Sequence, residues 1–249
     1  MSTVDSSVQT STDGTEFKVP DVSKLKVSEN KTVEQKVKTI LFCVPGREFS
    51  SRFLLSWSDL ILQCVINNYR PILCQEYDRN LFISRNKCLG ADILKDNADQ
   101  KPFQGRVSYD YLVWIDPHVT FTFKDLQKLL ESPHDVTTGL YMFNKDTTNI
   151  VQQFDYSFYK ENGTFNFLKY DDLLNVEKED NRYFSADFAD MGWMCFKPGV
   201  AEKIQYPWFD YNTTQPVGLF TDSYSYCMKL KEAGVKIMVD SNTKMLYIE

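Results

Sequence analysis

Two kinds of apolar pattern alternate along this chain. Short continuous runs, Thr39-Ile-Leu-Phe-Cys-Val44, Pro71-Ile-Leu-Cys74 and Tyr111-Leu-Val-Trp-Ile115, have the form of buried strands, and Val136 to Met142 is expected as a further strand. Between them, apolar residues recur at helical spacing. Leu54, Trp57, Ile61 and Val65 predict a helix whose apolar face meets the sheet, and the break at Asn67-Asn68 separates it from the second strand. The segments Leu81 to Leu94 and Lys124 to Glu131 predict two further helices, with the polar stretch Lys95 to Arg106 between the first of them and the third strand. Strands and helices alternating in this way predict a mostly parallel α/β sheet with helices on both faces, whose ligands bind at the carboxyl ends of the strands.

The second half reads differently. Ile150 to Tyr159 and Thr164 to Leu168 flank Asn162-Gly163, a hairpin signal, so a small antiparallel patch is expected there. The apolar stretch Met191 to Phe196, a helix opened by Pro198, a helix from Asp222 to Ala233 capped by Gly234, and a late strand Lys236 to Val239 complete a single domain. Residues 1–36 are rich in Ser, Thr, Asp, Val and Lys with almost no aromatics, and read as a flexible N-terminal arm to a domain spanning 37–249.

Composition narrows the function. The formal charge is -6, and the 28 basic residues are scattered among 34 acidic ones, so no stripe exists to neutralise a nucleic-acid backbone. No apolar run reaches the ~18 residues needed to cross a bilayer, and the N-terminus is polar where a secretory leader is apolar. The six cysteines lie mostly in apolar runs without metal-ligand spacing, as buried thiols of a reducing, cytoplasmic compartment do. In that setting the Asn-x-Thr triplets at Asn30, Asn162 and Asn212 are chance matches.

The chemistry centres on Asp116 and His118. They follow the apolar strand Leu112-Val-Trp-Ile115, so both emerge at the sheet edge where ligands bind. A carboxylate and an imidazole one residue apart suit a Mn²⁺ or Mg²⁺ ion that also binds a diphosphate and neutralises charge on a leaving group. Taken alone, the same residues also fit a turn opened by Asp116-Pro117 and an ordinary surface histidine.

Four segments in order resemble the GT-A glycosyltransferases over roughly residues 38–249. The run Tyr111-Leu-Val-Trp-Ile-Asp-Pro-His118, followed by a helix and Gly139-Leu-Tyr141, is similar to the strand that ends in the family's Asp-x-Asp or Asp-x-His motif. Ala186-Asp-Phe-Ala-Asp-Met-Gly-Trp-Met-Cys195 with Tyr206-Pro-Trp-Phe209 is similar to its acceptor-side segment. Thr221-Asp-Ser-Tyr-Ser-Tyr-Cys-Met-Lys-Leu-Lys-Glu-Ala-Gly234 is similar to its late helix.

This resemblance implies a Rossmann-like GT-A domain that moves a sugar, as a hexosyltransferase does, from a nucleoside diphosphate sugar to a hydroxyl of a glycan, protein or small molecule. It implies that Pro45, Gly46 and Arg47, with Glu76 and Tyr77, hold the nucleotide base and ribose, and that Arg85 and Asn86 reach its diphosphate or sugar. Asp116 and His118 would hold the metal. Asp222 would be the general base, Asp187 and Asp190 would bond sugar hydroxyls, and Trp193 and Trp208 would stack on a pyranose. Read without the family, Arg47 and Arg85 equally fit surface ion pairs, Asp222 a helix cap, and the two indoles core packing. Two positions depart from the family pattern: its Glu-Asp pair stands as Asp222-Ser223, and its late metal-binding His is Tyr247. An inactive module that binds glycan or nucleotide, and a sugar nucleotidyltransferase, are the alternatives.

Overall fold

The computed structural model describes residues 36–143, 146–173, 182–210 and 222–247, without the side chain of Asp222. The expected arm up to residue 35, and the Asn30 and Asn212 triplets, lie outside them.

The first half follows the expected alternation: β1 (Lys38–Pro45), α1 (Ser51–Ile66), β2 (Tyr69–Glu76), α2 (Leu81–Cys88), β3 (Tyr111–Ile115), β4 (Val119–Thr120), α3 (Phe123–Leu130) and β5 (Val136–Tyr141). The second half adds β6 (Ile150–Val151), α4 (Tyr156–Asn162), β7 (Tyr183–Ala186), β8 (Phe188–Ala189), β9 (Trp193–Phe196), α5 (Asp222–Glu232) and β10 (Ile237–Tyr247). The main sheet runs β2-β1-β3-β9-β5-β10-β4, with β7 also on β10. Strands β2, β1 and β3 are parallel, as are β5 and β10, and β9 lies antiparallel between β3 and β5. A two-stranded antiparallel sheet, β6 with β8, stands apart. The described residues from 36 on thus form the expected α/β sheet with helices on its faces and a small separate antiparallel patch.

Alternation along β1 explains the two layers. Ile40, Phe42 and Val44 pack with Phe53, Leu60 and Cys64 of α1 and Leu126 and Leu129 of α3. Leu41 and Cys43 point the other way, to Cys88 and to Tyr226, Cys227 and Leu230 of α5. Every residue of β3 is buried, because it runs mid-sheet beneath both layers. Each such aliphatic side chain contributes about 2 kcal/mol when fully buried.

Several elements differ from the sequence reading, each for a local reason. Asn162-Gly163 ends a helix instead of turning a hairpin. Asp155 caps α4 by accepting from Ser157 N and Phe158 N, and Gly163, at φ 66°, closes it in the left-handed conformation. The same positive φ that suits a hairpin turn also suits a helix C-terminus; the antiparallel patch is built from Ile150–Val151 and Phe188–Ala189 instead. Helix α2 stops at Cys88, because Gly90 (φ 78°) turns the chain against Phe103, whose N–H donates to Leu89 O at 2.6 Å. The helix expected after Pro198 is a single 3-10 turn, Ala201–Lys203.

The last strand is longer than Lys236 to Val239, since β10 leaves β5 after Val239 and rejoins it at Lys244. The bulge is held by Asp240, whose buried carboxylate accepts from Arg182 Nε and Nη2 at 3.1 and 3.0 Å, Asn242 N at 3.1 Å and Thr243 Oγ1 at 2.9 Å. Helix α1 is rotated from the expected face: Phe53, Leu60 and Cys64 are buried, while Leu54 and Val65 are exposed.

Asp155→Ala should cost about 1 kcal/mol of stability by removing the α4 cap, read as a shift in urea midpoint at constant slope. An unchanged midpoint would contradict a helix at 156–162.

Candidate active site

The sheet brings polar residues from distant segments to one edge. Strand β3 ends at Ile115, and β9 runs antiparallel beside it with Ile115 opposite Trp193. The residues that precede β9, Asp190-Met191-Gly192, therefore stand beside the residue that follows β3, Asp116. The two loops are joined where Asp116 N donates to Gly192 O at 3.0 Å. On the other side of β9, β5 ends at Tyr141, whose hydroxyl accepts from Gly192 N at 3.1 Å and donates to Asp190 Oδ2 at 2.8 Å.

Glycine is required at 192, since a Cβ there would fall on the Tyr141 hydroxyl. Asn149 fixes the main chain of the tyrosine: Tyr141 N donates to Asn149 Oδ1 at 3.0 Å, and Asn149 Nδ2 donates to Gly139 O at 3.2 Å.

Helix α2 delivers the cation. Arg85 is 1% exposed. Its Nη2 donates to Asp116 Oδ1 at 3.3 Å and its Nη1 to Ser223 Oγ at 2.5 Å. Ser223, in the first turn of α5, passes the contact on by donating to Asp190 Oδ1 at 2.7 Å. Arg85 thus bonds one carboxylate directly and the other through a hydroxyl, and its guanidinium lies 6.0 Å from the Trp114 ring centroid and 5.8 Å from that of Phe209. Burial, then the nearby charges of Asp190 and Asp116, push the Tyr141 phenol well above its ordinary value, so it remains a donor.

The expected nucleotide loops adjoin this cluster. Gly46 N donates to Glu76 O at 3.0 Å, and Gln75 Nε2 donates to Gly46 O at 2.6 Å, tying the loop after β1 to the end of β2. The Gly46 Cα packs against Pro117, where an added Cβ would lie 3.1 Å from Pro117 Cγ, at a φ of 154°. Pro45 is buried, and Arg47 lies exposed with its guanidinium 5.5 Å from the Tyr77 ring centroid. Pro45, Gly46, Arg47, Glu76, Tyr77 and Asp116 thus occupy neighbouring loops at the carboxyl ends of β1, β2 and β3.

Other expected site residues serve differently. The Asn86 amide is committed to main chain, donating to Phe82 O and Phe209 O at 2.9 and 2.7 Å and accepting from Phe209 N at 3.2 Å. Asp187 lies outside the Asp190 cluster, accepting from Phe154 N at 3.0 Å and pairing with Lys231 at 2.8 Å. Trp193 and Trp208 are fully buried: Trp193 stacks on Phe121 at 4.8 Å, and Trp208 meets Tyr206 edge-on, so neither offers a face to a sugar. The side chain of Asp222 lies outside the described residues.

His118 is exposed, its ring 5.7 Å from that of Tyr247, which in turn stacks on Tyr141 at 5.7 Å. Among the described residues no group of three or more His, Cys, Asp or Glu side chains is arranged to hold a metal. A metal held by Asp116 and His118 would take its remaining ligands from phosphate and water oxygens. Tyr141, Asn149 and the bridging role of Ser223 were not foreseen. A polar residue at the last position of a buried strand, as Tyr141 is, was the available signal.

No protein-family model and no curated protein sequence matches the chain. Backbone comparison finds similarity to a protein from STIV, with TM-score 0.47 and 13% identity over 85% of this chain and 94% of that one. It also finds GalNAc-T7, solved with UDP, GalNAc and Mn²⁺, with TM-score 0.49 and 9% identity over 85% of this chain and 43% of that one. A third is a Drosophila β1,4-galactosyltransferase 7 mutant, solved with manganese, UDP-Gal and xylobiose, with TM-score 0.44 and 11% identity over 86% of this chain and 71% of that one. The chain spans less than half the length of GalNAc-T7.

Arg85→Met should cost about 3 kcal/mol, because it leaves Asp116 and Asp190 partly buried without their shared cation; a loss under about 1 kcal/mol in urea unfolding would contradict that role. Buried phenols predict an alkaline limit. Burial raises Tyr141 and Tyr226 above the ordinary value of 10.0 and Tyr224 to about 12. Their contribution is therefore constant below pH 10 and is lost above it, as the unfolded chain releases protons that the folded one keeps, by about 1.4 kcal/mol per group per pH unit. Unfolding free energies that stay level between pH 10 and 11.5 would contradict it.

Proposed function

We propose that this chain transfers a sugar from a nucleoside diphosphate sugar to a hydroxyl acceptor, with a divalent metal assisting. What supports this most is the meeting of Asp116, Arg85 and Asp190 at the carboxyl edge of the parallel strands, beside the loops Pro45-Gly46-Arg47 and Glu76-Tyr77. A buried cation between two carboxylates, with exposed Arg47 and His118 at the rim, provides groups of both signs where a diphosphate and a polyol would meet.

In this proposal the base and ribose lie between the Pro45–Arg47 loop and Glu76-Tyr77. Asp116 and His118 would hold Mn²⁺ or Mg²⁺, which supplies positive charge to the leaving nucleoside diphosphate. Arg85 holds the Asp116 carboxylate in position from beneath, and the Tyr141 and Ser223 hydroxyls orient Asp190 so that its remaining lone pairs can receive an acceptor or donor hydroxyl. Asp222, at the start of α5, takes the acceptor proton as the acceptor oxygen bonds to the anomeric carbon and the bond to the diphosphate breaks. Asp187, paired with Lys231, is left out of this constellation.

One observation favours a second reading, a module that binds without turnover: an oxygen of Asp116, the carboxylate a metal needs, already accepts from Arg85.

Titration calorimetry with a panel of UDP- and GDP-sugars, with and without Mn²⁺, separates these. The transferase reading expects binding that strengthens at least tenfold with Mn²⁺, slow release of nucleoside diphosphate, and loss of the Mn²⁺ effect in Asp116→Asn. Binding without any turnover selects the module, release of pyrophosphate from a nucleoside triphosphate selects a nucleotidyltransferase, and no heat with any donor overturns the proposal.

A further inference from the structure

Helix α1 carries more apolar surface than the sheet covers. At about 100° per residue, Phe53, Trp57, Leu60 and Cys64 fall in one narrow arc, and this is the arc packed against β1 and β3. Leu54, Leu55, Leu62, Val65 and Ile66 fall in a second arc of about 120° on the opposite flank, and all five are more than half exposed. Only the small Ser51 and Ser58 lie within it, with Arg52 and Asp59 at its border. On the same face of the sheet, at its edge, Leu73 is half exposed; it is the register partner of Phe42, which packs in the α1 layer.

A helix that covers a sheet requires one apolar stripe, and α1 has two. At about 100 Å² apiece the five side chains present on the order of 500 Å², at the upper end of what a monomer exposes. An interface of standard size buries about 800 Å² per partner, and in homodimers about 65% of it is apolar. The exposed arc therefore matches the apolar part of such an interface.

We infer that this face is the centre of a two-fold dimer interface in which α1 packs against α1 of a second copy. An isologous contact suits it, because one self-complementary patch then covers itself and leaves no open end. Its border carries one charge of each sign, Arg52 and Asp59, so self-association does not set a single charge type against itself. A membrane surface fits less well: an interfacial helix carries Lys and Arg along its polar face, whereas α1 has Arg52 as its one basic residue and the whole chain has a formal charge of -6.

Sedimentation equilibrium of the full chain between about 1 and 100 μM tests this. The expected result is a species of twice the 29.0 kDa chain mass. Leu62→Glu, alone and with Leu55→Glu, should weaken the dimer at least a hundredfold. Because both positions are exposed, far-UV circular dichroism and the thermal midpoint of the isolated monomer should show it folded. Leu94→Glu, at a residue 90% exposed in the loop after α2, should leave the dimer intact. A wild-type monomer at the highest concentration, a dimer that survives Leu62→Glu, or a monomer that binds phosphatidylcholine vesicles through this face would each overturn the inference.

Discussion

The candidate site depends on a single buried guanidinium. Two carboxylates, Asp116 and Asp190, approach from loops on either side of the β3–β9 pair, and taking such groups out of water costs several kcal/mol each unless a cation and hydrogen bonds compensate. Arg85 compensates one directly, and Ser223 extends its reach to the other. Because the fork is planar and its donors fixed, it also sets the distance between α2 and α5. Its support is local: Asn86, the next residue, clamps the backbone of Phe209, and the Phe209 ring packs on both Trp114 and the guanidinium. The guanidinium and the residue that clamps its packing partner are thus adjacent on one short helix.

Topology explains why the cluster forms at this edge. Parallel strands send every carboxyl end to the same side, which gathers the loops after β1, β2, β3 and β5. The antiparallel β9 contributes its opposite end, so the segment Asp190-Met191-Gly192 arrives there as well. Gly192 then permits the Tyr141 hydroxyl to approach the backbone closely, and the tyrosine joins the two halves of the sheet at the site.

What the sequence disclosed follows from the range of the forces involved. Buried strands such as Tyr111–Ile115 were legible, because their pattern is dictated by burial on both faces, and Asp116 was legible as the first polar residue beyond one of them. The loops after β1 and β2, assigned to one pocket in sequence, are neighbours, Gly46 N donating to Glu76 O. Features that depend on distant partners were not legible. Nothing near Asp240 in the chain announces Arg182, 58 residues away, nor does Arg85 announce Ser223, 138 residues away. Asn162-Gly163 misled because positive φ serves both a hairpin and a helix terminus, and only the Asp155 cap decides between them. Trp193 and Trp208 fitted core packing or a sugar platform in sequence, and their full burial decides for the core. For α1 the periodicity was right and the face half right: Trp57 and Ile61 pack in the sheet layer, whereas Leu54 and Val65 lie on a second, exposed apolar face.

The most direct test is a crystal structure of the chain with Mn²⁺ and a nucleoside diphosphate. The account predicts a diphosphate at the carboxyl edge, its metal ligated by Asp116 and His118, its base against Pro45–Arg47 and Tyr77, and Arg85 still bonded to Asp116 and Ser223 beneath it. A nucleotide bound away from that edge, or a metal held without Asp116, would contradict it.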